Sequence, residues 1–142
     1  MRLLDANIFL RALVRADTAR EKGKAAACAS LFERLAAGEE EATTLEAIIA
    51  SVCYVLRSPR QYGLPPTEIA KRLGPLLQVR GLKLPFKRTY LRALDLWAAW
   101  PKLDFDDVLL VAHAERLGSA ELLSYDHDFD SIPGLVRAEP EL

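Results

Sequence analysis

Cysteine, histidine and methionine are scarce in this 142-residue chain, which has two Cys, two His and one Met. Cys28 and Cys53 both fall inside apolar stretches with helical spacing, so each thiol reads as a reduced, buried small hydrophobe. A disulfide framework and a cysteine-ligated zinc site are not expected. His113 falls on an apolar helical stripe and His127 in a polar turn, and both read as structural rather than as ligands. Long apolar runs are missing as well, and no charged leader precedes the first motif. A soluble, cytoplasmic protein with no membrane partner is the expectation. What remains is a chain 51% hydrophobic, long enough to bury a sizeable core, and a single domain over residues 1–142 accounts for it.

Net charge is also nearly absent, at −1, but the sum conceals a polarity along the chain. Residues 57–102 carry ten basic and two acidic side chains, whereas residues 103–142 carry two basic and ten acidic. A +8 middle and a −8 end suit an anionic partner held by one stretch and cations gathered by the other. Each basic residue taken singly is accounted for equally well as a solvated face.

The elements alternate. Arg2-Leu3-Leu4 reads as a short buried strand delivering Asp5 at its carboxyl end, followed by a helical turn from Ala6 to Val14. Asp17 or Thr18 opens an amphipathic helix that Gly38 closes. Glu41 to Thr44 reads as a strand and Leu45 to Leu56 as an interior helix, apolar over most of its circumference. A helix over Pro66 to Val79 should be weakened or kinked at Gly74-Pro75. Leu82-Lys83-Leu84 is a further candidate strand. Helices from Phe86 to Trp100 and from Asp104 to Leu117 follow, then strands at Glu121 to Ser124 and at Leu135-Val136. This order implies an α/β fold with a mainly parallel sheet. Trp97, Trp100 and Tyr90 read as core or interface aromatics.

Open parallel sheets bind ligands beyond the carboxyl ends of their strands. Asp5 and Asp126 both follow apolar strand-like runs and open onto that edge. Asp104 and Asp107, three apart at a helix start, share a face, whereas Asp106 is rotated away and solvated. Carboxylates meeting there would form a hard-oxygen cage for Mg2+ or Mn2+, and without a cation at least one pKa should rise. Other roles compete. Asp104 as N-cap with Asp107 at N3 satisfies a helix start as well as it satisfies a metal. Asp128 and Asp130 lie in a polar turn that favours Asp by itself. Asp5 is harder to explain away, because an unpaired acid ending a buried strand is costly.

Three segments resemble the PIN-domain ribonucleases, above all the VapC-type toxins of type II toxin–antitoxin pairs. Leu3-Leu4-Asp5-Ala6-Asn7-Ile8-Phe9-Leu10-Arg11 looks like their opening motif, and Leu103 to Ala114 like their late acidic helix. Leu122 to Phe129 followed by Ile132-Pro133-Gly134 looks like their final acidic strand end. The likeness runs through essentially the whole chain, in order. It implies a three-layer α/β/α sandwich around a short, mainly parallel central sheet, and Mg2+- or Mn2+-dependent endonucleolytic cleavage of RNA. By resemblance Asp5 and Asp107 are the principal metal ligands and Asp126 a further acidic member. Asp104 and Asp128 support them, and Asn7 is the small polar residue beside the first acid. A homodimer and a cognate antitoxin that enters the acidic groove are implied partners. For RNA phosphates, Arg11, Arg57, Arg60, Arg88 and Arg92 are the expected contacts.

There is one departure. The family usually carries a glutamate in the central helix, five residues before the leucine of a Val-Leu pair, and counting back from Leu56 that position is Ser51. Glu46 does not replace it, since five residues along a helix is about 140° of rotation. Thr43-Thr44-Leu45-Glu46 also fits a capping box, with Thr43 as N-cap and Glu46 at N3, and capping is favoured over a supporting metal role for Glu46. Ser51 can hold a water but supplies no charge. A catalytically impaired RNA- or antitoxin-binding module is therefore an alternative to the nuclease. A receiver-type signalling domain is a weaker one, because Asp5 stands alone and no Lys follows Leu135-Val136. A haloacid-type phosphatase needs Asp-x-Asp where this chain has Asp5-Ala6-Asn7.

Overall fold

The computed structural model, which describes residues 1–118 and 121–142, has six helices and four two-residue strands, with the last four helices consecutive because the expected strand at Leu82-Lys83-Leu84 is reduced to a single bridge. β1 (Arg2–Leu3) pairs in parallel with β2 (Ala42–Thr43), and β3 (Leu122–Leu123) pairs in parallel with β4 (Arg137–Ala138). A parallel bridge from Ala42 to Leu82 extends the first pair. The architecture is mixed α/β with short parallel sheets, consistent with an α/β/α layering.

α1 (Ala6–Leu13) leaves β1 directly and packs on α2 (Ala19–Ala37) and α3 (Glu46–Arg57). The Phe9 and Phe32 rings meet there with centroids 5.4 Å apart. α2 is bounded as its sequence demands: the Thr18 hydroxyl accepts from the Glu21 N–H, and Gly38 ends the helix at φ 75°. α4 (Pro66–Gln78) begins with a proline at N1, where its missing N–H is not needed. α4 packs on α5 (Lys87–Ala99), and α5 on α6 (Phe105–Arg116).

α4 runs unbroken from Pro66 to Gln78 with Gly74-Pro75 inside it, and its Ile69, Leu73 and Leu77 are buried. Several expectations need correction. The last strand is Arg137–Ala138 rather than Leu135-Val136; Leu135 is partly buried but Val136 is exposed, and the Leu122 and Ser124 N–H groups donate to the Val136 and Ala138 carbonyls. β1 is not buried: Leu4 is, but Leu3 is 66% exposed and Arg2 is exposed. Phe86 stands outside α5 in the left-handed region, at φ 58°.

The Thr43–Glu46 capping box does not form. The Thr43 hydroxyl donates to the Lys83 carbonyl at 2.6 Å and the Thr44 hydroxyl to the Leu4 carbonyl at 2.7 Å, so α3 starts after Leu45 with no side-chain cap. Both hydroxyls join β2 to its neighbours instead. Gly81 has a related role: its N–H donates to the Leu35 carbonyl at 2.8 Å, and a Cβ there would lie 2.3 Å from the Glu40 carbonyl oxygen. Only glycine admits that crossing. Cys28 and Cys53 are free and buried, and burial pushes both thiols up from their ordinary pKa.

Candidate active site

The acids expected at the site stand at the starts of three different helices. Asp5 is the N-cap of α1, accepting from the Ala6 N–H at 2.8 Å. It is exposed rather than buried, which removes the desolvation cost anticipated for it. Asp104 is the N-cap of α6, and its N–H donates to the Asp107 carboxylate at 3.3 Å. Asp126 caps a 3-10 turn, His127–Ser131, by accepting from the Asp128 N–H at 2.9 Å.

The turn into α6 is held from the core. Trp97 is buried and its indole N–H donates to the Leu103 carbonyl at 2.7 Å, while its ring lies 5.5 Å from that of Phe105. That contact fixes where Asp104 and Asp107 emerge. Asp107 is half-buried, and its carboxyl is held above its ordinary pKa. Burial is the largest cause, and the charges of Asp104, Asp126 and Asp106 add to it against the opposing backbone N–H of Asp104. Asp126, which follows β3, is thus among the charges that bear on Asp107. Asp5 is not among the charges acting on Asp107.

Among the described residues, no three His, Cys, Asp or Glu side chains converge closely enough to enclose an ion. The donor chemistry still fits Mg2+ or Mn2+, because such ions are held by one or two carboxylates and keep several waters. A cation beside Asp107 would also relieve the repulsion that raises its carboxyl.

Of the supporting residues, Asn7 is exposed near the start of α1, and Asp128 is exposed with its N–H committed to Asp126. Ser51 is exposed on α3. Glu46 belongs elsewhere: its carboxylate lies 3.4 Å from His113 Nε2, and its charge adds to the burial that pushes the Tyr90 hydroxyl above its ordinary pKa. His113 Nδ1 in turn accepts from Arg116 Nε at 3.1 Å, and the Arg116 guanidinium stacks 4.2 Å over the Phe86 ring. This polar cluster on the C-terminal half of α6 is internally neutralised. Asp106 is exposed, as expected, and lies on the rim of a cleft with α3.

The five arginines divide. Arg11 pairs with Glu21, and Arg92 makes two bonds to Glu115 at 2.8 and 3.0 Å. Both guanidinia are engaged by carboxylates. Arg57, Arg60 and Arg88 are exposed and form no ion pair among the described residues.

Arg137 was not anticipated. Its side chain is only 13% exposed and donates to the Ser124 carbonyl at 2.8 Å and to Asp130 at 2.8 Å. The Ser124 hydroxyl accepts from the Asp126 N–H at 3.0 Å, so Arg137 braces the loop that presents Asp126. Its signal in the sequence was slight: one of only two basic residues in the acidic last 40.

No curated protein matches the chain. The PIN domain family matches it over residues 2–135, which takes in all three acidic segments. The chain belongs to the PIN domain family.

Proposed function

We propose that this chain is a divalent-metal-dependent endoribonuclease that hydrolyses RNA phosphodiester bonds, and that it is the toxin of a toxin–antitoxin pair; PIN domains are generally nuclease domains and usually use divalent metals. One observation carries the catalytic part: Asp104 and Asp126, from separate elements, load negative charge onto half-buried Asp107. No arginine forms an ion pair with Asp104, Asp107 or Asp126 among the described residues, although the charge of Arg137, which is bound to Asp130, also bears on Asp126.

In this proposal Asp107 and Asp126 hold Mg2+ or Mn2+, with Asp5 as the third ligand and Asp104 completing the acidic edge. The ion, when bound, supplies activation of water and neutralisation of charge at the scissile phosphate. The Asp104–Asp107 contact at 3.3 Å fixes the first turn of α6, and the Arg137–Ser124 brace fixes the Asp126 loop. Asn7, Ser51 and Asp128 orient water or substrate around the acids. Arg57, Arg60 and Arg88, unpaired and exposed, supply phosphate contacts. The cognate antitoxin and a homodimer rest on the likeness to VapC-type toxins, and exposed Leu3, Leu123 and Val136 offer apolar surface for a protein partner.

Ser51 favours one alternative, a PIN-like module that binds RNA or antitoxin without cutting. The two are separated by incubating end-labelled single-stranded RNA with the native chain and Mn2+ or Mg2+, beside EDTA, Asp107→Asn and Ser51→Glu. Metal-dependent cutting that Asp107→Asn abolishes is the expected result. Silence from the native chain with cutting by Ser51→Glu identifies a silenced site, and silence from both supports the binding module.

A further inference from the structure

The last turn of α3 and the first turn of α6 line a cleft of about 490 Å3 beside the acidic edge. That volume is within the ordinary range for small-molecule sites. Its floor is apolar, built by Ala50, Trp97 and Phe105. Tyr54, Arg57 and Asp106 stand around it, and Asp104 joins it to the acids described above. Helix dipoles explain a cation at the end of α3 and an acid at the start of α6. They do not explain Tyr54, which is 72% exposed over the same cleft.

Arg57 and Asp106 line one cavity with opposite charges, yet they form no ion pair with each other, and neither side chain has another ionic partner among the described residues. An aromatic face, a free guanidinium and a free carboxylate are the complements of a nucleotide's base plane, its phosphate and the N–H edge of its base. Stacking on an aromatic tolerates any base. A carboxylate is more selective: guanine is the only standard base with two adjacent N–H donors, at N1 and N2, that one carboxylate can accept together.

We infer that the α3–α6 cleft is a nucleotide subsite of the RNA-binding surface, in which Tyr54 stacks on a base, Arg57 holds an adjoining phosphate and Asp106 selects guanine. The subsite rests on the ribonuclease reading for its substrate class. Its position beside Asp104 places the bound guanosine next to the acids, so it would set where a strand is cut rather than perform the chemistry.

The test is equilibrium binding in EDTA, read by fluorescence anisotropy. The probes are labelled single-stranded uridine octamers carrying one central guanosine, inosine or adenosine. The native chain should bind the guanosine probe about tenfold more tightly than the inosine probe, which lacks only the N2 amino group. Asp106→Asn should erase that preference. Tyr54→Ala should weaken all probes about tenfold and Tyr54→Phe restore them, while Arg57→Ala should lower the salt dependence by about one counterion. All three side chains are exposed, so the variants should keep the native circular dichroism. Equal affinity for the three probes, or no effect of Tyr54→Ala, overturns the subsite. Cutting by the native chain in Mn2+ without a guanosine preference overturns the subsite alone. A guanosine preference without cutting upholds it and overturns the nuclease, and neither binding nor cutting overturns both.

Discussion

Four carboxylates in this protein have clearly displaced pKa values, and they fall into two groups. Glu40, Glu115 and Asp130 are all held below the usual range, each chiefly by a hydrogen bond from an arginine: Arg34, Arg92 and Arg137 respectively. Asp107 is displaced upward, by burial and by three other aspartates. The acidic C-terminal stretch is thus not one kind of surface. Around Asp130 the chain spends its scarce local arginine on neutralising an acid, and at the start of α6 it leaves acids facing one another. Repulsion retained at the end of a well-packed helix costs stability, and a bound cation would return it.

The largest effect expected from disturbing this contrast is at Asp107. Asp107→Asn should lower metal-dependent RNA cleavage by more than about a hundredfold, since even residues that merely orient metal ligands cost 10- to 100-fold. Its thermal midpoint without metal should not fall, because the change removes repulsion; a cleavage time course and a melt check both halves. Gly81→Ala is the opposite case, disturbing the fold while touching neither group of acids. The 2.3 Å approach to the Glu40 carbonyl should cost about 1–3 kcal/mol by urea denaturation, with Mn2+ affinity of the folded protein unchanged.

Arg137→Ala should convert the neutralised group into a repelling one. Asp130 should return upward toward its ordinary pKa, read by NMR titration, and Mn2+ affinity should fall roughly tenfold as the Asp126 loop loses its brace. Unchanged affinity would break the link between the two regions. The smallest effect concerns Arg92 and Glu115. The Glu115 carboxyl is lower in the folded protein than in the unfolded chain, so its contribution is present above the ordinary carboxylate pKa and is lost as pH falls through the lowered value. Both side chains are about half exposed, and Arg92→Ala should cost under about 1 kcal/mol at neutral pH, with the difference vanishing in acid, by urea midpoints.

The sequence made the helices legible because their signals are local. Thr18 and Gly38 bound α2 as their chemistry requires, and Asp104 with Asp107 marked the start of α6 three residues apart. Where the signal was a choice among distant partners, it misled. Thr43-x-x-Glu46 has capping-box spacing, but Lys83 and Leu4 carbonyls claim the two threonine hydroxyls and His113 lies beside the glutamate, none of them near in sequence. Leu135-Val136 looked like a strand because apolar pairs are usually buried, whereas ladder pairing is set by backbone register. Arg137 and Gly81 could not be singled out, since one matters through Ser124 and the other through Glu40 and Leu35. The acidic edge was readable as a set of residue types at strand ends; which acids act on Asp107 depended on how α6 and the Asp126 loop are braced.

The most direct test of the contrast is the thermal midpoint of the native chain and of Asp107→Asn with and without saturating Mn2+. A cation held by the Asp107 group should raise the native midpoint by roughly 5–10 °C, as expected for a ligand near a hundredfold above its dissociation constant in a domain of this size. Asp107→Asn should lose most of that rise. An equal rise in both proteins, or none in the native chain, would contradict the assignment of the repelling carboxylates as a metal site.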